Sequence, residues 1–195
     1  MNLESKYITP ASDDALVTAV DVADGAQTLK LTTLDFARNL TMTVVDGDSS
    51  ISAGILTVVG TDDRGDALTE IFTIPTTGSA TVTGTSMFKT ITSATVSAIA
   101  GEAAGDTIAL GFGGTVQVFE QVGNFGGITV GKTAAGAITI TDQDSKTTRH
   151  TIGILKASIE EGDYLMTGSV VSKGLRVVLA AASDVTVFYN RSTSN

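Results

Sequence analysis

The chain reads Arg38-Asn39-Leu40-Thr41-Met42-Thr43-Val44-Val45, then Gly54-Ile55-Leu56-Thr57-Val58-Val59-Gly60-Thr61-Asp62, then Leu68-Thr69-Glu70-Ile71-Phe72-Thr73-Ile74, then Phe88-Lys89-Thr90-Ile91-Thr92, and closes on Gly105-Asp106-Thr107-Ile108-Ala109-Leu110-Gly111. Leu40, Met42 and Val44 alternate with threonine and valine, the period of a strand with one buried face. Glycine and aspartate separate the runs at short intervals, and short alternating runs between turn residues are the mark of an antiparallel β-sandwich. The stretch from Arg38 to Phe112 holds few residues of the types that do chemistry. It therefore points to a chain that presents surfaces.

The composition agrees with this reading. The chain has 195 residues, enough for one large domain or two small ones. Hydrophobic residues make up 42%, which suits a globular fold, and charged residues 17%. There are 21 glycines against 2 prolines, so turns rest on glycine and Asp/Asn. The net charge of −9, with no basic cluster, repels phosphate and argues against a nucleic-acid partner. No cysteine is present, which removes disulfides, thiolate nucleophiles and zinc–thiolate sites. No apolar run is long enough for a membrane helix, and Met1–Pro10 lacks the apolar core of a secretory signal.

Working outward, residues 1–14 read as an extended N-terminal arm ending in Pro10-Ala11-Ser12-Asp13-Asp14, either disordered or lying on a neighbouring subunit. Leu16–Val22 reads as a strand, Asp24-Gly25 as a hairpin turn and Thr28–Thr32 as its return. Phe88–Ile99 reads as a strand pair or one long bent strand. Gly111-Phe112-Gly113-Gly114 marks the expected boundary between an immunoglobulin-like sandwich over 15–113 and a smaller β-rich domain over 114–195. In the second region Asn124-Phe125-Gly126-Gly127 reads as a turn, and strands are expected at Thr115–Phe119, Ala137–Thr141, Ile152–Ile159, Tyr164–Val171, Leu175–Leu179 and Val185–Tyr189. No segment keeps a helical period, and Ala98–Ala104 allows a single turn at most.

The search for chemistry covers a few places. His150, beside Arg149, is the one histidine and so the one side chain able to serve as base in a Ser-His-Asp triad. No Gly-x-Ser-x-Gly elbow accompanies it. Asp62-Asp63-Arg64-Gly65-Asp66 and Asp46-Gly47-Asp48 gather carboxylates in turns. They read as solvated turn residues, with a structural Ca²⁺ at Asp62–Asp66 as the alternative. Glycosidase chemistry or sugar stacking is disfavoured by 5% aromatics and no tryptophan. Arg64-Gly65-Asp66 spells an adhesion tripeptide inside a good turn. Gly126–Thr133 fits the spacing Gly-x-x-x-x-Gly-Lys-Thr, but strand-like residues surround it where a phosphate loop needs a following helix. No catalytic, cofactor-binding or metal residue is assigned, and no enzyme activity is expected.

Arg38-Asn39-Leu40-Thr41, Gly60-Thr61-Asp62, Gly65, Thr69-Glu70 and Phe88-Lys89-Thr90-Ile91-Thr92 resemble an immunoglobulin-like β-domain of tailed-bacteriophage structural proteins. Ser172-Lys173-Gly174-Leu175-Arg176-Val177 with Asp184–Tyr189 resembles the close of small phage virion proteins. The resemblance implies a non-enzymatic virion component, made in the host cytoplasm: a capsid decoration (cement) protein, or else a neck or tail part. Its implied partners are the major capsid protein and neighbouring copies of itself, in a closed trimer, with no nucleic acid, membrane or cofactor. The N-terminal arm and an edge formed by Val185–Tyr189 are the expected intersubunit contacts. A different class, an adhesion or carbohydrate-binding module, remains the alternative.

Overall fold

The computed structural model describes residues 3–132, 134–144, 148–181 and 183–191, with side chains for all of these except 148–149 and 165–168. The regular elements among the described residues are all strands. In chain order they are β1 (Glu4–Ile8), β2 (Ser12–Asp21), β3 (Gly25–Ala26), β4 (Thr33–Val45), β5 (Ala53–Thr61), β6 (Ala67–Thr73), β7 (Ala80–Thr83), β8 (Phe88–Ala100), β9 (Thr107–Phe119), β10 (Gly123–Val130), β11 (Ile138–Gln143), β12 (Thr148–Leu155), β13 (Gly162–Val171), β14 (Leu175–Leu179) and β15 (Val185–Arg191). All the registered pairings are antiparallel, as the turn chemistry and the missing crossover helices require.

The chain forms two compact units. One comprises Ser12–Leu34 and Arg38–Gly113, the other Met1–Ala11, Asp35–Ala37 and Gly114–Asn195. In the first, β4 begins on β8, with Thr33 opposite Thr90 and Arg38 opposite Phe88. It then changes partner, so that Thr41–Val44 lie opposite Thr83–Ala80 of β7. A strand that switches partner in mid-course turns the corner of a sandwich. β8, β5 and β6 carry the sheet to its edge, and β2 lies on β9. Leu40, Met42, Val44, Leu56, Val58, Phe72, Phe88, Ile91, Ile108 and Leu110 are buried in one core. On β5 the alternation is complete: Gly54, Leu56, Val58 and Gly60 point inward.

The second unit has a sheet in the order β1-β15-β10-β13 and a run in which β14 joins β11 to the end of β9, with β12 outside β11. Val116, Val118, Phe119, Phe125, Ile128, Ile138, Ile140, Val177, Val185, Val187 and Tyr189 fill its core. The all-β antiparallel, sandwich-like arrangement of the chain thus follows from the period-2 patterning. The region read as a smaller β-rich domain is itself built of two facing sets of strands.

Several local readings need correction. The expected arm contains β1, and its Glu4–Ile8 pairs with Tyr189–Val185 of the same chain. Ile8 enters the core, which explains why this terminus is fixed without a neighbour. β15 also pairs with β10 along its other side, so Val185–Tyr189 is an interior strand and offers no edge. Thr28–Thr32 is no returning strand. Gly25 and Ala26 instead pair with Val96 and Thr95, Gln27 N–H donates to Ala94, Lys30 N–H to Leu16, and the Asp24 carboxylate takes the Ile99 N–H, so the segment is held to β8 and β2. Asn124–Gly127 is strand, not turn, with a register shift between Phe125 and Gly127. Along the chain one unit gives way to the other between Gly113 and Gly114, and this stretch lies inside the continuous β9. Phe88–Ala100 is one strand, and Ala98 in it has a positive φ of 55°.

Gly60 shows why a residue without a side chain is needed in β5. The register with β8 shifts between Val59 and Gly60, and a Cβ at Gly60 would meet the Thr90 carbonyl oxygen at 1.9 Å. The obstacle is backbone and cannot swing aside. Gly60→Ala is expected to cost about 1–3 kcal/mol, the usual penalty of overpacking. Urea unfolding monitored by circular dichroism measures it, and an unchanged midpoint would contradict the close approach.

Candidate functional site

The acidic residues, the histidine and the glycine motif can each be followed to their place. Asp142, on β11, stands opposite His150 on β12 and Leu175 on β14. Its carboxylate is fully buried. Oδ1 accepts the Lys173 N–H at 2.8 Å and the Gly174 N–H at 3.3 Å, and Oδ2 accepts the Ser172 hydroxyl at 3.0 Å and the Ser172 N–H at 3.1 Å. His150 Nδ1 lies 3.9 Å from the same Oδ2. Burial by itself would raise the Asp142 carboxyl, but the N–H groups of Lys173, Ser172 and Gly174 and the Ser172 hydroxyl outweigh it and hold the group below its ordinary value of 3.8.

A serine, an aspartate and a histidine therefore converge, but in the wrong order for nucleophilic catalysis. Ser172 donates to the aspartate and His150 approaches that same oxygen, whereas a triad needs the histidine between the other two. The Asp142 carboxylate serves as the anchor of the turn between β13 and β14. The side chain of Arg149 lies outside the described residues. Beneath the turn, the buried Gln117 amide donates to the carbonyls of Phe119 at 2.8 Å and Gln143 at 2.7 Å and accepts from Arg176 Nε at 2.7 Å. Arg176 also donates to the Asp144 carbonyl at 3.0 Å. Sequence reasoning missed this network because its members are spread from Gln117 to Arg176. The only local signal was the cluster of polar residues in otherwise apolar strands.

The loop between β5 and β6 closes on itself. Asp62 Oδ1 accepts the N–H of Arg64 at 2.8 Å and of Asp66 at 2.9 Å, and the Arg64 guanidinium lies 3.7 Å from both Asp62 Oδ2 and Asp66 Oδ2. Asp62 thus organises a turn, and the charge that answers it is Arg64. The Arg64-Gly65-Asp66 tripeptide stands at this hairpin tip with its arginine engaged by both flanking aspartates.

The carboxylates of Asp46, Asp48 and Asp106 come together, with ligand atoms within 4.8 Å of one another. Asp46-Gly47-Asp48 was visible as an acidic turn; Asp106 joins it through the fold. The three could offer oxygens to a hard cation. Backbone donors already serve them: Ser50 N–H to Asp46 at 3.0 Å and to Asp48 at 3.2 Å, Ile51 N–H to Asp46 at 3.3 Å, and Ala103 N–H to Asp106 at 2.8 Å, with the Ser50 hydroxyl 3.3 Å from Asp106. Hydrogen bonding from the Ser50 side chain, against a smaller effect of desolvation, keeps the Asp48 carboxyl below its ordinary value. The cluster locks the loop after β4 to the turn before β9.

The Gly126–Thr133 spacing match does not form a phosphate loop. Gly126–Val130 lies within β10, whose two sides are paired to β13 and β15, and the Gly131 N–H goes to the Asp184 carbonyl. The amides a phosphate would need are bonded within the sheet. Thr133 lies outside the described residues, as do Ser145–Thr147 of the loop after β11. No helix among the described residues is long and apolar enough to cross a membrane. In comparisons with known proteins, no family model matches the chain and no curated protein matches its sequence.

Proposed function

We propose that this chain is a non-enzymatic structural component of a tailed-bacteriophage virion, and specifically a head decoration protein that binds the major coat subunits and neighbouring copies of itself. The observation that supports the reading is what the polar residues do in two successive antiparallel β units. Asp142, Asp62, Asp46 and Asp106 hold turns in place, and His150 stands at a carboxylate already taken by Ser172–Gly174. This is the economy of a shell part, where loops fixed on a rigid sheet make the contacts. An acidic surface also suits a protein packed at high copy number. With this comes the resemblance of Arg38–Phe112 to phage β-domains.

Electron microscopy of particles assembled with and without the chain tests the proposal. Density over the coat lattice of the head is expected only when the chain is present. Density confined to the neck or tail would replace decoration by the alternative virion role, and no particle-bound density would overturn both. An adhesion module is the reading of another class. The exposed Arg64-Gly65-Asp66 tip favours it, and the pairing of Arg64 with Asp62 and Asp66 works against it. Binding on a glycan array or to an integrin surface would revive that reading.

A further inference from the structure

We propose that β1 is an exchangeable strap: it opens from β15 as a unit of its own, and the seat it leaves takes the β1 of a second copy of this chain. The inference stands on the two ladders of β15 and does not rest on the virion reading.

β15 lies between β1 and β10. At the end of the β10–β15 ladder the Gly131 N–H donates to the Asp184 carbonyl at 2.9 Å, next to the pair of Val130 and Val185. In an antiparallel ladder, pairs that exchange both backbone bonds alternate with pairs that exchange none. Thr186 and Phe188 therefore direct their backbone groups to β10, while Val185, Val187 and Tyr189 direct theirs to β1. On β1 the residues opposite those three are Ile8, Lys6 and Glu4, and Ser5 and Tyr7 turn their backbone groups outward. One set of β15 amides is thus closed by β10, and the other by five residues at the N-terminus.

β1 is lightly held. It is the outermost strand of its sheet, Glu4 to Tyr7 are exposed and only Ile8 is buried. Besides the ladder, the Lys6 ammonium donates to the Asp35 carbonyl and stands 4.6 Å from the centre of the Phe36 ring, and the Thr9 N–H donates to the Asp35 carboxylate at 2.8 Å. Pro10 follows and has no N–H to bond, which makes the link to β2 a hinge. A terminal element with so little buried apolar surface opens locally at a free energy well below that of global unfolding.

The seat selects its occupant. It offers a buried site for Ile8, a carbonyl and a ring for an ammonium two residues earlier, and a carboxylate for the N–H one residue later. The strand that carries those groups at that spacing is β1 itself. The β1 of another copy makes each of these contacts identically, so exchange conserves them and its extent is set by concentration.

Two measurements on the full chain test the proposal. Hydrogen exchange followed by NMR resolves single amides. The Val187 and Tyr189 N–H groups are expected to exchange at least about tenfold faster than those of Thr186 and Phe188, because opening of β1 uncovers only the first two. The second measurement exploits the absence of native cysteine. Tyr7 and Thr186 stand opposite each other without mutual backbone bonds, the arrangement in which Cα atoms come close enough for a disulfide. Tyr7→Cys chain is mixed at high concentration with Thr186→Cys chain and oxidised. A disulfide-linked heterodimer, identified by its mass, is expected in several-fold excess over that formed by Tyr7→Cys with Thr73→Cys, whose cysteine is exposed on β6. Should Thr186→Cys fail to fold, Ser5→Cys with Phe188→Cys repeats the test at the next such pair. Equal exchange of the four amides, or no excess of the β1–β15 heterodimer, overturns the proposal.

Discussion

Arg38→Ala is expected to destabilise the unit formed by Ser12–Leu34 and Arg38–Gly113 by about 3–5 kcal/mol, the range for emptying a large buried site and stranding a polar partner. Arg38 is completely buried. Its Nε and a terminal nitrogen donate to the Gly113 carbonyl at 3.2 and 2.8 Å, and its guanidinium carbon sits 4.4 Å above the centre of the Phe112 ring. The planar group thus holds the middle of β9 by a forked hydrogen bond and by stacking at once. Alanine removes both and leaves the Gly113 carbonyl inside without this donor. Arg38→Lys retains a charge but not the fork or the stack, and buries a more strongly hydrated ion, so it is expected to be destabilising as well. Arg38→Met keeps the length of the stem without a charge and should be the mildest of the three, because replacing a buried ionic group by an apolar one of similar volume is often tolerated. Chemical denaturation of the three variants measures the order. Arg38→Ala unfolding within about 0.5 kcal/mol of the wild type, the scatter of an ordinary surface substitution, would contradict the clamp.

Arg38 also illustrates how much the sequence revealed. The strand around it was legible because Leu40, Met42 and Val44 alternate. The burial of Arg38 was not, because periodicity assigns a face and cannot say that β4 is covered on both faces from Phe36 to Met42. On β5 the structure buries Leu56 and Val58 and leaves Ile55 and Val59, equally apolar, half-buried on the other face, so the pattern there marks the strand but not its inner face. Where glycines intervene, turn chemistry misled. Gly111–Gly114 and Asn124–Gly127 look like breaks, yet they are strand, and their glycines sit where a neighbour comes too near for a Cβ: the Ser12 carbonyl at 1.9 Å over Gly111, the Asn39 side chain at 2.6 Å over Gly113 and the Leu3 side chain at 2.7 Å over Gly126. The failure over Thr28–Thr32 has the opposite cause. Asp24-Gly25 is a good local hairpin signal, but bonds from Gly25–Gln27 to β8 and from Ile99 to the Asp24 carboxylate compete with it and win, and the Lys30 N–H donating to Leu16 is the bond that reaches back to β2. The acidic turn at Asp62 was legible because all of its partners lie within four residues. The turn held by Asp142 was not, because its donors come some thirty residues later.

Asp142 should accordingly be the second most sensitive position. Asp142→Ala is expected to lower stability by about 3 kcal/mol and the melting temperature by roughly 10 °C, since one buried carboxylate satisfies the N–H groups of Ser172, Lys173 and Gly174 and only some of these can turn to water. The effect should depend on pH in a definite direction. The folded chain holds the Asp142 carboxyl below its ordinary value of 3.8, so its contribution is complete above about pH 4 and disappears as the pH falls through the folded value. Asp142→Asn keeps the shape and one acceptor oxygen but cannot titrate. The difference in melting temperature between wild type and Asp142→Asn is therefore expected to be largest near neutral pH and to shrink steadily below pH 4. A constant difference down to pH 2 would mean that the amide fails for reasons of shape, and that the charge of Asp142 does not hold the turn. A single series of melting curves on the two proteins from pH 2 to pH 8 therefore decides whether the charge of Asp142, rather than its shape, holds the turn between β13 and β14.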